Sequence, residues 1–379
     1  MRENIDHNGF LTAYLREIEF FASRLKGRKI TTIFFGGGTP SLMPLQLVEK
    51  ILEKIATCFA IDKDCEITLE ANPTSFESSK FFDFKKAGIN RLSIGVQALN
   101  DADLKFLGRE HSAQEAIAVI KKASKIFDNF SFDLIYARPK QTLSDWSQEL
   151  NQALEFNTKH LSLYQLTIEK GTKFFSEFQQ KKFIMPDENL SADFYDLTNE
   201  ITASNGFELY EISNYAKKNF ECAHNLVYWQ GGDYLGIGAG AHSRVFLDDE
   251  FDAKLEIKEK PDNKSFSKKE RQAIMMIHEP ISWLQKVKEN GAGIQTSTKI
   301  SSQELLEELI LMGLRLREGI SGNIFQQFFD KSLTEIFDFK KLQNLVNERL
   351  LEVSVDKIKI TDKGRILSNS IIAKVVESI

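Results

Sequence analysis

Cysteine is almost absent from this sequence: among 379 residues only Cys58, Cys65 and Cys222 occur. So odd and scattered a set excludes a disulfide scaffold. A chain this long needs none, because it buries roughly three quarters of its unfolded surface on folding. The same scarcity excludes a site built from closely spaced thiolates of this chain. Positive charge is not in surplus either. Lys and Arg number 49 against 54 Asp and Glu, a formal net charge of −5, which argues against a general nucleic-acid binder. No apolar run approaches the ~18 residues of a membrane span. Met1 to Phe10 carries Arg2, Glu3 and Asp6 and no apolar centre, so it is not a secretory signal. No repeat of fixed period is visible. These absences fit a protein of the reducing cytoplasm, any membrane association being peripheral. The composition that remains, 42% hydrophobic and 27% charged, is that of a globular protein.

What is present alternates. Apolar and β-branched runs at Ile30–Phe35, Glu66–Glu70, Arg91–Val96, Phe130–Tyr136, His160–Leu166 and Phe207–Ile212 read as strands. Between them Pro44–Phe59, Ser112–Phe127 and Asn189–Ser204 carry apolar residues at helical spacing. Alternation of this kind predicts an α/β fold with a parallel sheet covered by helices. Polar groups close nearly every strand: Gly36-Gly37-Gly38-Thr39-Pro40, Glu70-Ala71-Asn72-Pro73, Gln97, Gln165 with Thr167, and Glu211 with Asn214, while Asp133 lies within the run Ser131–Tyr136. Convergence of such ends at one mouth favours a partial (β/α) barrel over an open sheet. The expected division is a barrel over 1–245, a connector with helices over 246–300 and a C-terminal domain over 301–379. Asp248–Ser267 reads as a charged loop, Lys268–His278 and Ile281–Asn290 as helices, and Gly291–Gly293 with Thr296–Ser302 as a break. From Ser301 the expected order is helix (Gln303–Arg317), helix (Asn323–Phe329), helix (Asp338–Arg349), hairpin (Leu351–Thr361) and helix (Asp362–Val376), a mainly helical, winged-helix-like unit. With 11 basic and 12 acidic residues it is no DNA reader.

The glycine run after the first strand lets a ligand approach main-chain groups without side-chain obstruction. It is neither a P-loop nor a dinucleotide fingerprint. Glu70 and Asp133 can accept ribose hydroxyls or bind an ammonium group, Gln97 adds an amide, and Arg109 can pair bidentately with a carboxylate. Together they match a ligand that is part amino acid and part nucleoside. His224, with Tyr228 at i+4 and Trp229 beside it, suits a haem iron; a histidine packed between domains is the other reading. Gly236-Ile237-Gly238-Ala239-Gly240-Ala241 lacks the last spacing of a dinucleotide loop and reads as a turn.

Gly36–Ser41, Glu70–Pro73, Leu92–Gln97, Gly108-Arg109-Glu110-His111, Asp133–Tyr136 and Pro139-Lys140-Gln141-Thr142 together resemble the oxygen-independent coproporphyrinogen oxidase branch of the radical S-adenosylmethionine (radical SAM) proteins. His224-Asn225-Leu226-Val227-Tyr228-Trp229 and Leu235–Ser243 narrow the resemblance to the haem chaperone subgroup, HemW. It runs from about Asn4 to the C-terminus. It implies that Gly37, Gly38 and Thr39 hold the methionyl end of S-adenosylmethionine, with Glu70 near its ribose or amino group. Gln97, Arg109 and Asp133 complete that pocket, Thr167 lies by the adenosyl part and His242 approaches the adenine. His224 begins the proposed haem motif. The implied function is a haem chaperone delivering haem to respiratory membrane proteins, without nucleic acid. The alternatives are an oxygen-independent coproporphyrinogen III oxidase-like enzyme and an inactive remnant.

One departure stands out. Radical SAM proteins hold a [4Fe–4S] cluster by three cysteines separated by three and then two residues, on a loop after the first barrel strand. That spacing is absent, so no metal ligand is expected in this chain and enzymatic activity is left open. The family's order places the cluster loop before the Tyr14–Glu19 helix. The expectation is a barrel lacking its first strand, with the edge at Ile30–Phe35 uncovered unless Met1–Asn8 fills it.

Overall fold

The computed structural model describes residues 6–247 and 271–379. Its first half runs α1 (His7–Ala22), β1 (Lys29–Phe35), α2 (Leu45–Cys58), β2 (Ala60–Ala71), α3 (Ser75–Ser79), α4 (Phe81–Lys86), β3 (Arg91–Gln97), α5 (Asp101–Phe106), α6 (Ala113–Ile126), β4 (Asn129–Tyr136), α7 (Leu143–Leu154), β5 (His160–Gln165), α8 (Lys173–Gln179) and α9 (Glu188–Ser204). There follow β6 (Glu208–Leu209), β7 (Asn214–Ala216), α10 (Ala223–Trp229), β8 (His242–Phe246), β9 (Arg271–Met276), α11 (Pro280–Asn290), β10 (Ile294–Ile300) and α12 (Ser302–Gly313). The chain closes with β11 (Ile320–Ser321), α13 (Gly322–Phe329), α14 (Leu333–Ile336), α15 (Phe339–Asn347), β12 (Leu351–Val353), β13 (Lys357–Ile360) and α16 (Ser368–Val376). Among the described residues, no helix is long and apolar enough to cross a membrane.

Two compact units result. One comprises Thr32–Leu45 and Glu66–Cys222, the other Met1–Thr31, Gln46–Cys65 and Ala223–Ile379. The first is built on a seven-stranded sheet in the order β1-β2-β3-β4-β5-β7-β6, with β1 at one edge. The pairs β2–β3, β3–β4 and β4–β5 are parallel, and this curled sheet with its helices is the predicted α/β half-barrel. The sixth predicted strand, Phe207–Ile212, is paired only over Glu208–Leu209. It contacts the sheet through an antiparallel partner, β7, which the apolar pattern did not reveal.

The parity of these strands decides where chemistry can sit. Leu69, Leu92, Ile94, Val96, Phe130, Phe132, Leu134, Leu161 and Leu163 are buried. They alternate with Thr68, Glu70, Ser93, Ser131, Asp133, His160 and Ser162, which therefore share the opposite face. Register keeps that polar face continuous: Glu70 pairs with Ser93, Ser93 with Ser131, and Asp133 with Ser162. The apolar face is covered by helices, with α6 lying against β3 and β4. Ser112 and Glu115 form a capping box that starts α6, whose Ala116, Val119, Ile120 and Ala123 turn inward. Thr142 and Asp145 cap α7 in the same way, and its Trp146, Leu150 and Ala153 are buried. Trp146 Nε1 donates to Thr198 Oγ1 of α9 at 2.8 Å, satisfying the one polar atom of a fully buried indole.

In the other unit, β10-β9-β8 form an antiparallel sheet. Two expectations fail here. The described part of the predicted Lys268–His278 helix is strand β9, because Ile274 and Met276 enter the core at period two. The predicted break at Thr296–Ser302 is mostly β10, whose Thr and Ser residues suit an edge strand. Asp248–Ser267 lies outside the described residues. Phe21, Trp283 and Val287 pack with Ile274 and Met276. Glu17 of α1, fully buried, accepts from Gly238 N at 2.8 Å, Gly293 N at 2.7 Å and Trp283 Nε1 at 3.1 Å. The C-terminal part follows the predicted order: α12, α13 and α15 precede the antiparallel β12–β13 hairpin, which β11 extends to three strands. The last predicted helix begins as a 3-10 segment, Asp362–Leu367, before α16.

Candidate functional site

The polar face of the sheet is most elaborated at the C-terminal ends of β2, β3 and β4. Asp133 of β4 accepts from Val96 N at 2.8 Å and from Gln97 Nε2 at 2.6 Å. Gln97 makes that reach with a left-handed backbone, φ 73°, an uncommon conformation for a residue with a side chain. The next peptide is held too, the Val96 carbonyl lying 3.0 Å from His111 Nε2. Burial lowers the His111 pKa and favours a neutral ring. Leu99 N–H donates to Glu149 at 2.7 Å, and Glu149 is paired with Arg138. The segment after β3 is thus fixed by side chains from β4, α7 and the turns around them.

Glu70 stands on the same face of β2 and accepts the N–H of Gly37. The glycine loop therefore folds back onto the carboxylate. A Cβ at Gly36 would stand 3.3 Å from Glu70 Oε2 and 2.9 Å from the Phe34 ring, so a side chain there would crowd both. A Cβ at Gly37, where φ is 105°, or at Gly38 would meet nothing within 4 Å, so no neighbouring atom fills the space beside either. Thr39 Oγ1 accepts from Asn72 Nδ2 at 3.3 Å.

Electrostatics set the chemistry of this group. Burial, partly offset by Gln97, the backbone donors and Arg109, raises Asp133 to about 6. Burial also raises Glu70; the Gly37 N–H opposes the shift and the charge of Asp133 adds to it. Two carboxyls that hold their protons more tightly because of burial favour a cationic ligand. Arg109 is exposed beyond α5, where its charge reaches Asp133. Gly37, Glu70, Gln97, Arg109 and Asp133 thus form one group, with Gly38 and Thr39 on its loop. Thr167 is exposed past β5 and joins none of these hydrogen bonds. His242, exposed at the start of β8, and His224 belong to the other unit.

Sequence reasoning missed Tyr164 and Ser162, which join the Asn214 and Glu211 that it named. Tyr164 feels the charge of Asp133 and hydrogen-bonds with Ser162 and Asn214. Ser162 Oγ donates to Asn214 Oδ1 at 2.6 Å, and Asn214 Nδ2 donates to Glu211. The signal was parity, since Ser162 and Tyr164 share the face of Asp133.

His224 sits half-buried on α10. Its Nε2 lies 3.0 Å from Tyr228 Oη, with the rings edge to face at 5.0 Å. Tyr228 in turn lies 4.4 Å from the Tyr234 ring, and Arg315 stands 5.9 Å from the centre of Trp229. The [4Fe–4S] cluster that the resemblance implies does not fit this chain. Its three cysteines lie at 58, 65 and 222, and among the described residues no three His, Cys, Asp or Glu side chains are grouped to hold a metal ion.

Comparisons with known proteins bear on the family and the fold. Residues 10–153 match the family model "Radical SAM superfamily", and residues 300–367 match "HemN C-terminal domain". The chain is 37% identical over 350 residues to the mitochondrial radical S-adenosyl methionine domain-containing protein 1 of Bos taurus, covering 89% of this chain and 76% of that protein. It is 32% identical over 371 residues to the heme chaperone HemW of Buchnera aphidicola subsp. Acyrthosiphon pisum, covering 98% and 91%. Against HemW of Escherichia coli (strain K12) the identity is 39% over 250 residues, 66% of this chain and 65% of that one. The solved Escherichia coli coproporphyrinogen III oxidase HemN, a radical SAM enzyme, superposes with a TM-score of 0.77 at 23% identity, covering 99% of this chain and 84% of HemN, a likeness of fold. The chain belongs to the radical SAM superfamily, in the branch that holds HemN and the heme chaperones HemW.

Proposed function

We propose that this protein is a haem chaperone that binds S-adenosylmethionine and haem and passes haem to respiratory membrane proteins, acting from the cytoplasm at the membrane surface. The observation that carries the haem part is α10. There a half-buried histidine is paired with Tyr228, in a chain whose relatives include proteins named heme chaperones. An imidazole beside flat aromatic rings suits an axial ligand and a porphyrin edge. Haem would take the place of Tyr228 as the partner of one ring nitrogen.

The S-adenosylmethionine part rests on the group around Asp133. Bound there, the molecule would supply a sulfonium and an amino-acid ammonium as cations. Glu70 and Asp133 would face those charges, the main chain of Gly37 and Gly38 would lie against the methionyl part, and Arg109 would pair with the carboxylate. Gln97 would hold Asp133 in place. The cysteines of this chain do not fit an iron–sulfur cluster.

Haem titration followed by the Soret band tests the first part. Wild type should shift the band, and His224→Ala should abolish the shift or change its position. Identical spectra and affinities for the two proteins would count against His224 as the ligand. Calorimetric titration with S-adenosylmethionine tests the second, wild type binding and Asp133→Ala not.

A further inference from the structure

Between the glycine loop and the end of β2 lies a carboxylate that the group around Asp133 does not use. Glu77 of α3 is 3% exposed. Four donors converge on it. Its Oε2 accepts from Ser41 Oγ and from Asn72 N at 2.8 Å. Its Oε1 accepts from Asn72 Nδ2 at 3.3 Å and Thr74 Oγ1 at 3.4 Å. Glu77 stands three residues past the helix cap Thr74, where a glutamate ordinarily reaches back to the cap's own N–H. Here it does not, because the Thr74 N–H is already given to Asn72 O at 2.8 Å. The carboxylate is aimed instead at two segments outside its helix.

Those two segments carry the cofactor group. Ser41, fully buried, closes the turn that follows Gly36-Gly37-Gly38-Thr39. Asn72 follows Glu70 by two residues, and its Nδ2 also donates to Thr39 Oγ1 at 3.3 Å. Glu77 therefore pins the far end of the glycine loop and the end of the strand that bears Glu70, while Gly37 and Glu70 bond to each other across the gap. A buried carboxylate with four donors is a strong and directional tie, because hydrogen bonds to a charged acceptor exceed neutral ones.

We infer that Glu77 is a positioning residue: it sets the spacing between the glycine loop and Glu70 at which a cationic amino-acid ligand is held. The inference rests on the reading of that group as the S-adenosylmethionine site, yet its structural half can be tested without ligand.

Hydrogen exchange followed by mass spectrometry on the ligand-free chain reads the loop directly. In Glu77→Gln, peptides covering 34–43 should exchange about tenfold faster, the loss of one charged hydrogen bond, while peptides in β3 and β4 stay unchanged. Titration with S-adenosylmethionine should show an affinity about tenfold weaker than wild type. Unchanged exchange in 34–43 overturns the inference. So does unchanged affinity in a wild type that binds. If wild type binds no S-adenosylmethionine, the cofactor reading falls and exchange alone decides the positioning role. Should Glu77→Gln fail to fold, Ser41→Ala removes the other end of the same tie and is held to the same two outcomes.

Discussion

Replacing Asp133 by Asn separates the electrostatic cost of the site from its packing. Asp133 is half-buried, and burial is the main reason its carboxyl is raised to about 6. In the unfolded chain the same carboxyl titrates in the ordinary range near 4. Between about pH 4 and 6 the folded chain therefore holds a proton that the unfolded chain has released. That contribution to stability is complete below pH 4 and is lost as the pH rises through 6. Roughly a hundredfold difference in proton affinity corresponds to about 3 kcal/mol, and partial exposure trims it to about 2 kcal/mol. An amide cannot ionise. Its oxygen can still accept from Val96 N–H, and Gln97 can turn its own amide to match the new NH2. In urea titrations at pH 7.5, Asp133→Asn should be more stable than wild type by about 2 kcal/mol. At pH 4 the gap should close. Equal stability at pH 7.5, or a gap that widens toward pH 4, would refute the reasoning. Binding of S-adenosylmethionine should fall in the same variant, so that the stabler protein is the poorer binder.

Two further substitutions probe buried polar contacts away from the site. Glu17→Ala leaves the N–H groups of Gly238 and Gly293 and the Trp283 indole without the acceptor they share, a loss of at least about 3 kcal/mol in urea titration, and an unmoved midpoint would mean that these donors find other partners. Thr198→Val removes the acceptor of Trp146 Nε1 and should cost about 1–2 kcal/mol, with a change in Trp146 fluorescence that the isosteric shape cannot explain.

Much of this architecture was legible because local and long-range signals agreed. The apolar spacing of Leu45–Cys58 and Ala113–Ile126 allows only helices. Gly37, Glu70, Gln97 and Asp133 could be named as one group because each follows a strand or lies in its C-terminal half, in a sheet whose strands mostly run the same way. What stayed hidden depended on pairing. β7 has three residues and no pattern of its own, so only its contacts with β5 and β6 define it. In Arg271–Met276 the period-two burial is masked by residues that also tolerate a helix, and the two neighbouring strands decide. Tyr164 and Glu77 carry no motif. Their importance lies in facing Asp133 and Ser41, neighbours that the chain brings together only on folding.

The lower part of the same polar face supplies the sharpest test of why it is polar at all. Arg91 opens β3 at 2% exposure; its Nη2 donates to Ser131 Oγ at 2.8 Å, and its Nε lies 3.9 Å from Glu66 Oε2. The Cys222 thiol donates to the other Glu66 oxygen at 3.4 Å. Nearby, burial and then the Arg91 charge hold His160 well below its ordinary pKa, hence neutral, so the ring adds no second cation to this layer. Arg91→Met removes the counter-charge of a buried carboxylate and should cost about 3–5 kcal/mol in urea titration. Removing the carboxylate charge as well should not double the loss. The double variant Arg91→Met/Glu66→Gln should recover at least about 1–2 kcal/mol relative to Arg91→Met alone, because two neutral groups at this depth no longer require each other. Recovery would mean that the two charges are kept for something other than stability, as expected if the upper end of this face holds the charged ligand proposed above. Strictly additive losses would mean that each side chain serves separate neighbours, and the pairing would then explain neither the depth nor the polarity of this layer.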